Sequence, residues 1–149
     1  MREHFDIQIR RTRWQTDRTS LSLVRRRVFI DEQGVDEADE WDDQDASADH
    51  WLALHHSDGP IATARLTVEG QLGRMAVLPG YRSRGVASKL LQDIIAFAAE
   101  TGFVQLRLNA QLAAIPLYQR HGFEVNGPEF LDAGMPHRPM QLNLDEDRR

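Results

Sequence analysis

Short apolar runs, most of them alternating with polar residues, recur along the chain. "FDIQIR" (5–10), "HWLALHH" (50–56), "IATARLTVEG" (61–70), "QLGRMAVL" (71–78), "FVQLRL" (103–108), "HGFEVNG" (121–127) and "HRPMQLNL" (137–144) read as strands. Two segments change to helical spacing. In "DRTSLSLVRRRVFI" (17–30), Leu21, Val24 and Val28 share one face, with Asp17 or Thr19 as the cap. From about Val86 to Thr101, Leu90, Leu91, Ile94, Ile95 and Ala98 share another, and Gly102 ends that helix in the left-handed conformation. "SDGP" turns the second strand into the third, and residues 112–120 read as a short helix. There is no internal repeat, low-complexity segment or linker, so the pattern predicts one mixed α/β domain over residues 1–149.

Composition narrows the class. With 149 residues, 41% hydrophobic and 28% charged, the chain can bury a core and reads as an ordinary globular protein. No apolar run approaches a membrane span and "MREHFDIQIR" lacks the apolar centre of a signal peptide, so cytoplasmic residence away from membranes is expected. The absence of cysteine excludes disulfides, thiolate metal sites and a cysteine nucleophile, leaving direct transfer or a hydroxyl.

The net charge of −5 hides an asymmetry: residues 31–49 carry ten of the 23 acids and no Lys or Arg, so the remainder is about +5. The segment reads either as a solvated loop or as an acidic rim that selects cationic ligands. Its order of acids lacks the glycine position of a calcium loop, and His50, His55 and His56 follow one another on a strand, so no metal site is expected. The arginines are scattered without interleaved aromatics, which argues against nucleic acid.

The chemistry concentrates in "VLPGYRSRGVASKLL" (77–91), where a strand passes through a glycine-containing loop into a helix. Such a junction leaves backbone N–H groups pointing one way, a place for phosphate oxygens, and Arg82, Arg84 and Lys89 add positive charge. It has neither the ending of a Walker loop nor the spacing of a dinucleotide fingerprint. It does carry Arg82-x-x-Gly85-x-Ala87.

In that context "GRMAVLPGYRSRGVASKLL" resembles the central block of the GNAT superfamily of acyl-CoA-dependent N-acetyltransferases. "AQLAAIPLYQRHGF" (110–123) resembles a second block of the family, with Ala114, Leu117, Tyr118, Gly122 and Phe123 in register and Gln111 in place of the usual Asn. "VFIDEQGV", "HWLAL" and "EFLDAGMPHRPMQL" are similar to the ElaA-like subgroup, so the likeness spans nearly the whole chain. The resemblance implies a GNAT fold: a mixed, mostly antiparallel central sheet of six to seven strands, flanked by helices, with splayed central strands. It implies acetyl-CoA as co-substrate, its pyrophosphate held by Arg82, Ser83, Arg84, Gly85, Val86, Ala87 and Ser88. The thioester arm would lie beside Met75, Ala76 and Val77, with Gln111, Ala114 and Tyr118 also in contact and Tyr118 as general acid.

For the base, Glu32 is one candidate, its pKa raised by burial, or else it is one more acid of its segment. His50 and His137 are others, and water is a further alternative. Gln33, His50 and His137 are expected on the acceptor side; Trp41 and Trp51 line the acceptor pocket or pack in the core. The expected activity is direct transfer of acetyl to a primary amine of a small cationic acceptor, by a monomer or homodimer. The alternative is a non-catalytic coenzyme A-binding sensor or scaffold.

Overall fold

The computed structural model describes residues 6–144. Eight strands form one sheet: β1 (Ile7–Arg13), β2 (Asp49–His55), β3 (Gly59–Leu66), β4 (Gln71–Val77), β5 (Gln105–Gln111), β6 (Glu124–Val125), β7 (Phe130–Asp132) and β8 (Met135–Asn143). The order is β1-β2-β3-β4-β5-β8-β6, with β7 also on β8, and every pair is antiparallel except β4–β5. The helices are α1 (Trp14–Arg25), α2 (Glu37–Glu40), α3 (Val86–Glu100) and α4 (Ile115–Arg120).

Helix α3 covers one face of the sheet. Its stripe of Leu90, Leu91, Ile94 and Ala98 is fully buried in a cluster with Trp51, Ala62, Ala64 and Leu106, each leucine and isoleucine contributing about 1.5–3 kcal/mol. Gly102 adopts φ +95° as expected, and Phe103 N–H returns to Ala98 O at 3.0 Å, which closes the helix end. Helix α1 buries Leu21 and Val24. It begins before Asp17 and kinks there, with φ −124° and ψ 30°. The Asp17 carboxylate turns back to β1, accepting from Thr12 Oγ1 at 2.6 Å and Arg10 at 3.0 Å, so neither Asp17 nor Thr19 caps the helix. The chain then widens into a π-helical turn, Arg26–Glu32, that carries Glu32 and Gln33 to the sheet's open end.

The sheet exceeds the expected six to seven strands because "EFLDAGMPHRPMQL" folds into a hairpin, β7–β8. Its two turn residues, Ala133 and Gly134, have φ +52° and +78°, the signs a tight two-residue turn requires. Central splaying is present. β4 and β5 pair only at Gln71–Arg107 and Leu72–Leu108, although β4 runs on to Val77 and β5 to Gln111.

Candidate active site

Where β4 leaves β5 a cleft of about 300 Å³ opens. Arg74, Met75, Leu108, Asn109, Gln111, Ala114 and Tyr118 line it from the sheet and α4, Gln33 from the end of the π-helical turn, and His137 from β8. A bulge bends β4 here. Thr63 faces Ala76 while Arg65 faces Gly73, so one residue opposes two, and Arg74 takes φ +48°. Thr63 Oγ1 secures the bulge by donating to Arg74 O at 3.1 Å.

The glycine-arginine loop stands at the far end of β4. The peptide after Val77 gives its N–H to Ile61 of β3 at 2.9 Å, so the Val77 carbonyl faces the opposite, open edge. Arg82 Nε donates to that carbonyl at 2.8 Å. Ser83 and Gly85 are left-handed, with φ +62° and +83°, and the chain turns directly into α3. No side chain caps α3, so the first-turn N–H groups of Val86, Ala87 and Ser88 point to the loop's outer side. Open space surrounds Gly85, with no atom within 4 Å of a Cβ placed there. Arg84 lies over the Tyr81 ring at 5.9 Å. Uncapped N–H groups on a helix end beside basic side chains suit a pyrophosphate.

Tyr118 is buried against Phe123, ring centroids 5.9 Å apart, and its hydroxyl meets Met75 Sδ at 3.7 Å. Burial pushes the phenol up to about 12, so it keeps its proton at neutral pH. Gln111 Nε2 donates to Gln33 Oε1 at 3.2 Å, which joins two of the expected site residues across the cleft. His137 Nδ1–H donates to Met135 O at 2.8 Å, leaving Nε2 as an acceptor when the ring is neutral. His121 reaches Ser88 Oγ at 3.1 Å and ties α4's end to α3's first turn.

Several expectations are corrected. Glu32 is not buried: both its oxygens accept from Arg82 at 2.7 Å, and that hydrogen bonding holds its carboxyl below the ordinary carboxylate range rather than above it. The same pair commits Arg82 to a protein carboxylate. His50 lies behind the sheet surface, fully buried, with Nε2 donating to Asp45 O at 2.9 Å, and burial lowers its pKa. Trp51 is core, its Nε1–H on Asp93 at 2.8 Å, and Trp41 stacks on Arg25 at 5.0 Å.

Three acids of the acidic segment do not belong to a free rim. Glu40, Asp42 and Asp45 turn inward to Arg25, Arg65 and Arg74, with closest contacts of 2.7–3.2 Å. Asp31, Glu32, Asp36, Glu37, Asp39 and Asp43 of the same segment are exposed, and Asp39 lines the cleft. Sequence reading missed Arg65 and Arg74; the readable signal was an arginine inside the apolar run "IATARL", which a folded protein must pair. Among the described residues no cluster of three or more His, Asp or Glu is arranged to hold a metal, and no helix is long and apolar enough to cross a membrane.

An open mixed sheet with parted central strands, a phosphate-type loop leading into a helix, and a buried phenol facing the gap is the architecture of an acyl-group transferase. The family model for the acetyltransferase (GNAT) domain matches residues 20–144, and the chain belongs to the GNAT acetyltransferase family. It is 36% identical over 121 residues to the uncharacterised N-acetyltransferase YjcF of Bacillus subtilis, covering 78% of this chain and 86% of that one. Its fold is similar to that of Escherichia coli ElaA, with a TM-score of 0.83 at 22% identity over 93% of this chain and 100% of the other. A GNAT acetyltransferase of Elizabethkingia anophelis, solved with acetyl-CoA bound, matches with a TM-score of 0.63 at 17% identity, over 93% and 98% of the two chains.

Proposed function

We propose that the protein moves the acetyl group of acetyl-CoA directly to a primary amine of a small acceptor held in the β4–β5 cleft. One observation carries this reading: β4 parts from β5 beyond Leu72 and Leu108 to open a cleft lined by the buried Tyr118, and the parted end of β4 leads into an uncapped, arginine-flanked helix start. The Elizabethkingia anophelis relative with acetyl-CoA bound supports the choice of donor.

Acetyl-CoA supplies an acetyl group activated as a thioester on a phosphate-bearing handle. The N–H groups of Val86, Ala87 and Ser88, with Arg84, hold the phosphates. The β4 backbone along Met75, Ala76 and Val77 is unpaired with β5, and its Met75 and Val77 N–H groups, on the edge away from β3, are donors for the carbonyl oxygen as negative charge develops there. Tyr118 keeps a proton on Oη and rests it on the Met75 thioether, a weak acceptor. A departing thiolate accepts that proton better than the thioether does. As the C–N bond forms and the C–S bond breaks, one amine proton leaves to His137 Nε2, directly or through water, the sulfur takes the Tyr118 proton, and the imidazolium's proton returns through water to the tyrosinate, whose pKa of about 12 makes it the stronger base. Of the expected bases, His137 is the one that lines the cleft.

The test is calorimetric titration with acetyl-CoA of the wild type and of Gly85→Glu, followed by a thiol-release assay over a panel of primary amines. Micromolar binding that collapses in Gly85→Glu, with thiol release for at least one amine, is the expected result. A wild-type protein that binds no acetyl-CoA overturns the reading.

A further inference from the structure

Arg65 stands in the middle of β3 beside Gly73 of β4, with its side chain 6% exposed, and it lines the cleft. Its Nη1 donates to Asp42 at 2.7 Å and Asp45 at 3.1 Å. Its Nε is buried and has no hydrogen-bond partner among the described residues. Its Nη2 likewise makes no hydrogen bond to them. Nε–H and Nη2–H lie parallel on one edge of the guanidinium, the edge with which arginine grips a carboxylate at two points. Leaving a buried donor unsatisfied costs about 1–3 kcal/mol, more for a charged group, so a partner at this edge has a large effect.

The charges buried around Arg65 are balanced. Three guanidiniums (Arg25, Arg65, Arg74) face three carboxylates (Glu40, Asp42, Asp45), and burial of the neighbouring His50 disfavours its charged form. Arg74 also lines the cleft; its Nε and Nη2 are taken by Glu40 and Asp42, and its Nη1 bonds no described residue. The other acids lining the cleft, Asp39 and Asp132, are exposed. Along β4, Gly73 is two residues from Met75, the contact of Tyr118, across the bulge at Arg74.

We propose that the Nε/Nη2 edge of Arg65 holds a carboxylate of the acceptor, which makes the acceptor an amino acid or a similar carboxylate-bearing amine. The anion sits on Arg65 and the amine on the Tyr118 side, in a cleft of about 300 Å³, room for a small amino acid. This assignment rests on the acetyl-transfer reading for its chemistry, but its binding is measurable separately.

The coenzyme A-saturated protein is titrated with a panel of L-α-amino acids, the matching amino amides, the decarboxylated amines and aminoalkyl phosphates, and thiol release is followed with the same panel. At least one amino acid should bind about tenfold or more tighter than its amide, the effect of a two-point charged contact. Arg65→Lys keeps a cation on Asp42 and Asp45 but loses the fork. It should weaken the amino acid about tenfold, leave the amide within about twofold, and leave the acetyl-CoA Kd unchanged.

Equal binding of acid and amide by the wild type overturns the proposal without need of any variant, as does a preference that survives in Arg65→Lys. Tighter binding of an aminoalkyl phosphate overturns the carboxylate assignment in favour of a phosphate. Failure to bind acetyl-CoA or coenzyme A strikes the acetyl-transfer reading alone; the amino acid and amide titrations of the uncomplexed protein then decide this one.

Discussion

Glu32 and Arg82 meet at two points, 2.7 Å on each arm, and tie the end of the π turn to the strand-to-helix loop. A carboxylate gripped this way is a poor base, because Arg82 holds it below its ordinary value of 4.5. The stability it contributes is present above 4.5 and lost as the pH falls through the lowered value. Exposure keeps the contribution small, about 0–1 kcal/mol. Glu32→Gln should therefore leave kcat within about threefold and keep the acid limb of its pH profile. The acetyl-CoA KM should stay the same or fall, since Arg82 is released toward the phosphates. A hundredfold loss of kcat with loss of the acid limb would restore Glu32 as the base.

Two substitutions at Gly85 separate backbone from charge. At φ +83° any side chain costs roughly 1–2 kcal/mol, and alanine meets no neighbour within 4 Å. Gly85→Ala should lower Tm but keep acetyl-CoA affinity within a few-fold. Gly85→Glu should lower Tm similarly and lose affinity by more than tenfold, because it sets a carboxylate against the phosphates. Equal losses of affinity would show that the loop's shape, not its charge, governs binding.

Tyr118→Phe keeps the packing on Phe123 and removes the proton donor. The expected loss is about 10–100-fold in kcat. Because the phenol is pushed up to about 12, no limb of the kcat profile between pH 6 and 10 belongs to it, and the variant's profile should keep its shape. Unchanged kcat with a confirmed acceptor removes the general-acid role.

The glycine-arginine loop, α3 and the tyrosine helix were legible because each is local. A regular apolar stripe, a glycine at φ +95° and a glycine at φ +83° announce themselves within about fifteen residues of chain. What lay hidden was pairing over distance. Asp42 and Asp45 reach Arg65 more than 20 positions away or close to it, and a run of acids looks the same whether it faces water or arginines. The bulge at Arg74 escaped because no glycine, proline or asparagine stands at that position to mark it, and β7 because its turn opens with alanine where glycine or asparagine is usual. The kink at Asp17 depended on a hydroxyl five residues earlier.

Inward-facing acids give a different mutational signature from a rim. Asp45 is 3% exposed, and its side chain holds Arg25 at 2.8 Å and Arg65 at 3.1 Å. Asp45→Asn leaves two guanidiniums underpaired and should cost about 3–5 kcal/mol in urea unfolding. Glu37, whose pair with Arg26 is exposed, is the control: Glu37→Gln should leave both the urea midpoint and the acceptor KM unchanged. A raised acceptor KM in Glu37→Gln, with Asp45→Asn stable, would return the segment to the role of a charge filter.

His50 sets the sign of the stability change near neutral pH. Burial is the main cause lowering its pKa from 6.5, ahead of the raising influence of Asp45, while Arg25 and Arg65 add to the lowering. Below about pH 6.5 the unfolded chain therefore takes up a proton at this residue more readily than the folded chain. Stability is fully present above 6.5 and declines as the pH falls below that value toward the lowered one. Glu40, raised by its own burial, acts in the opposite sense, gaining stability on acidification, but it does so equally in a His50 variant. The difference between the wild type and His50→Gln isolates the histidine. Unfolding free energies measured in urea from pH 5.5 to 7.5 should rise with pH more steeply in the wild type, by up to one proton's worth of slope, about 1.4 kcal/mol per pH unit. Parallel curves for the two proteins would mean that His50 takes up its proton as easily in the fold as outside it, and the buried neutral histidine beside the arginine cluster would be wrong.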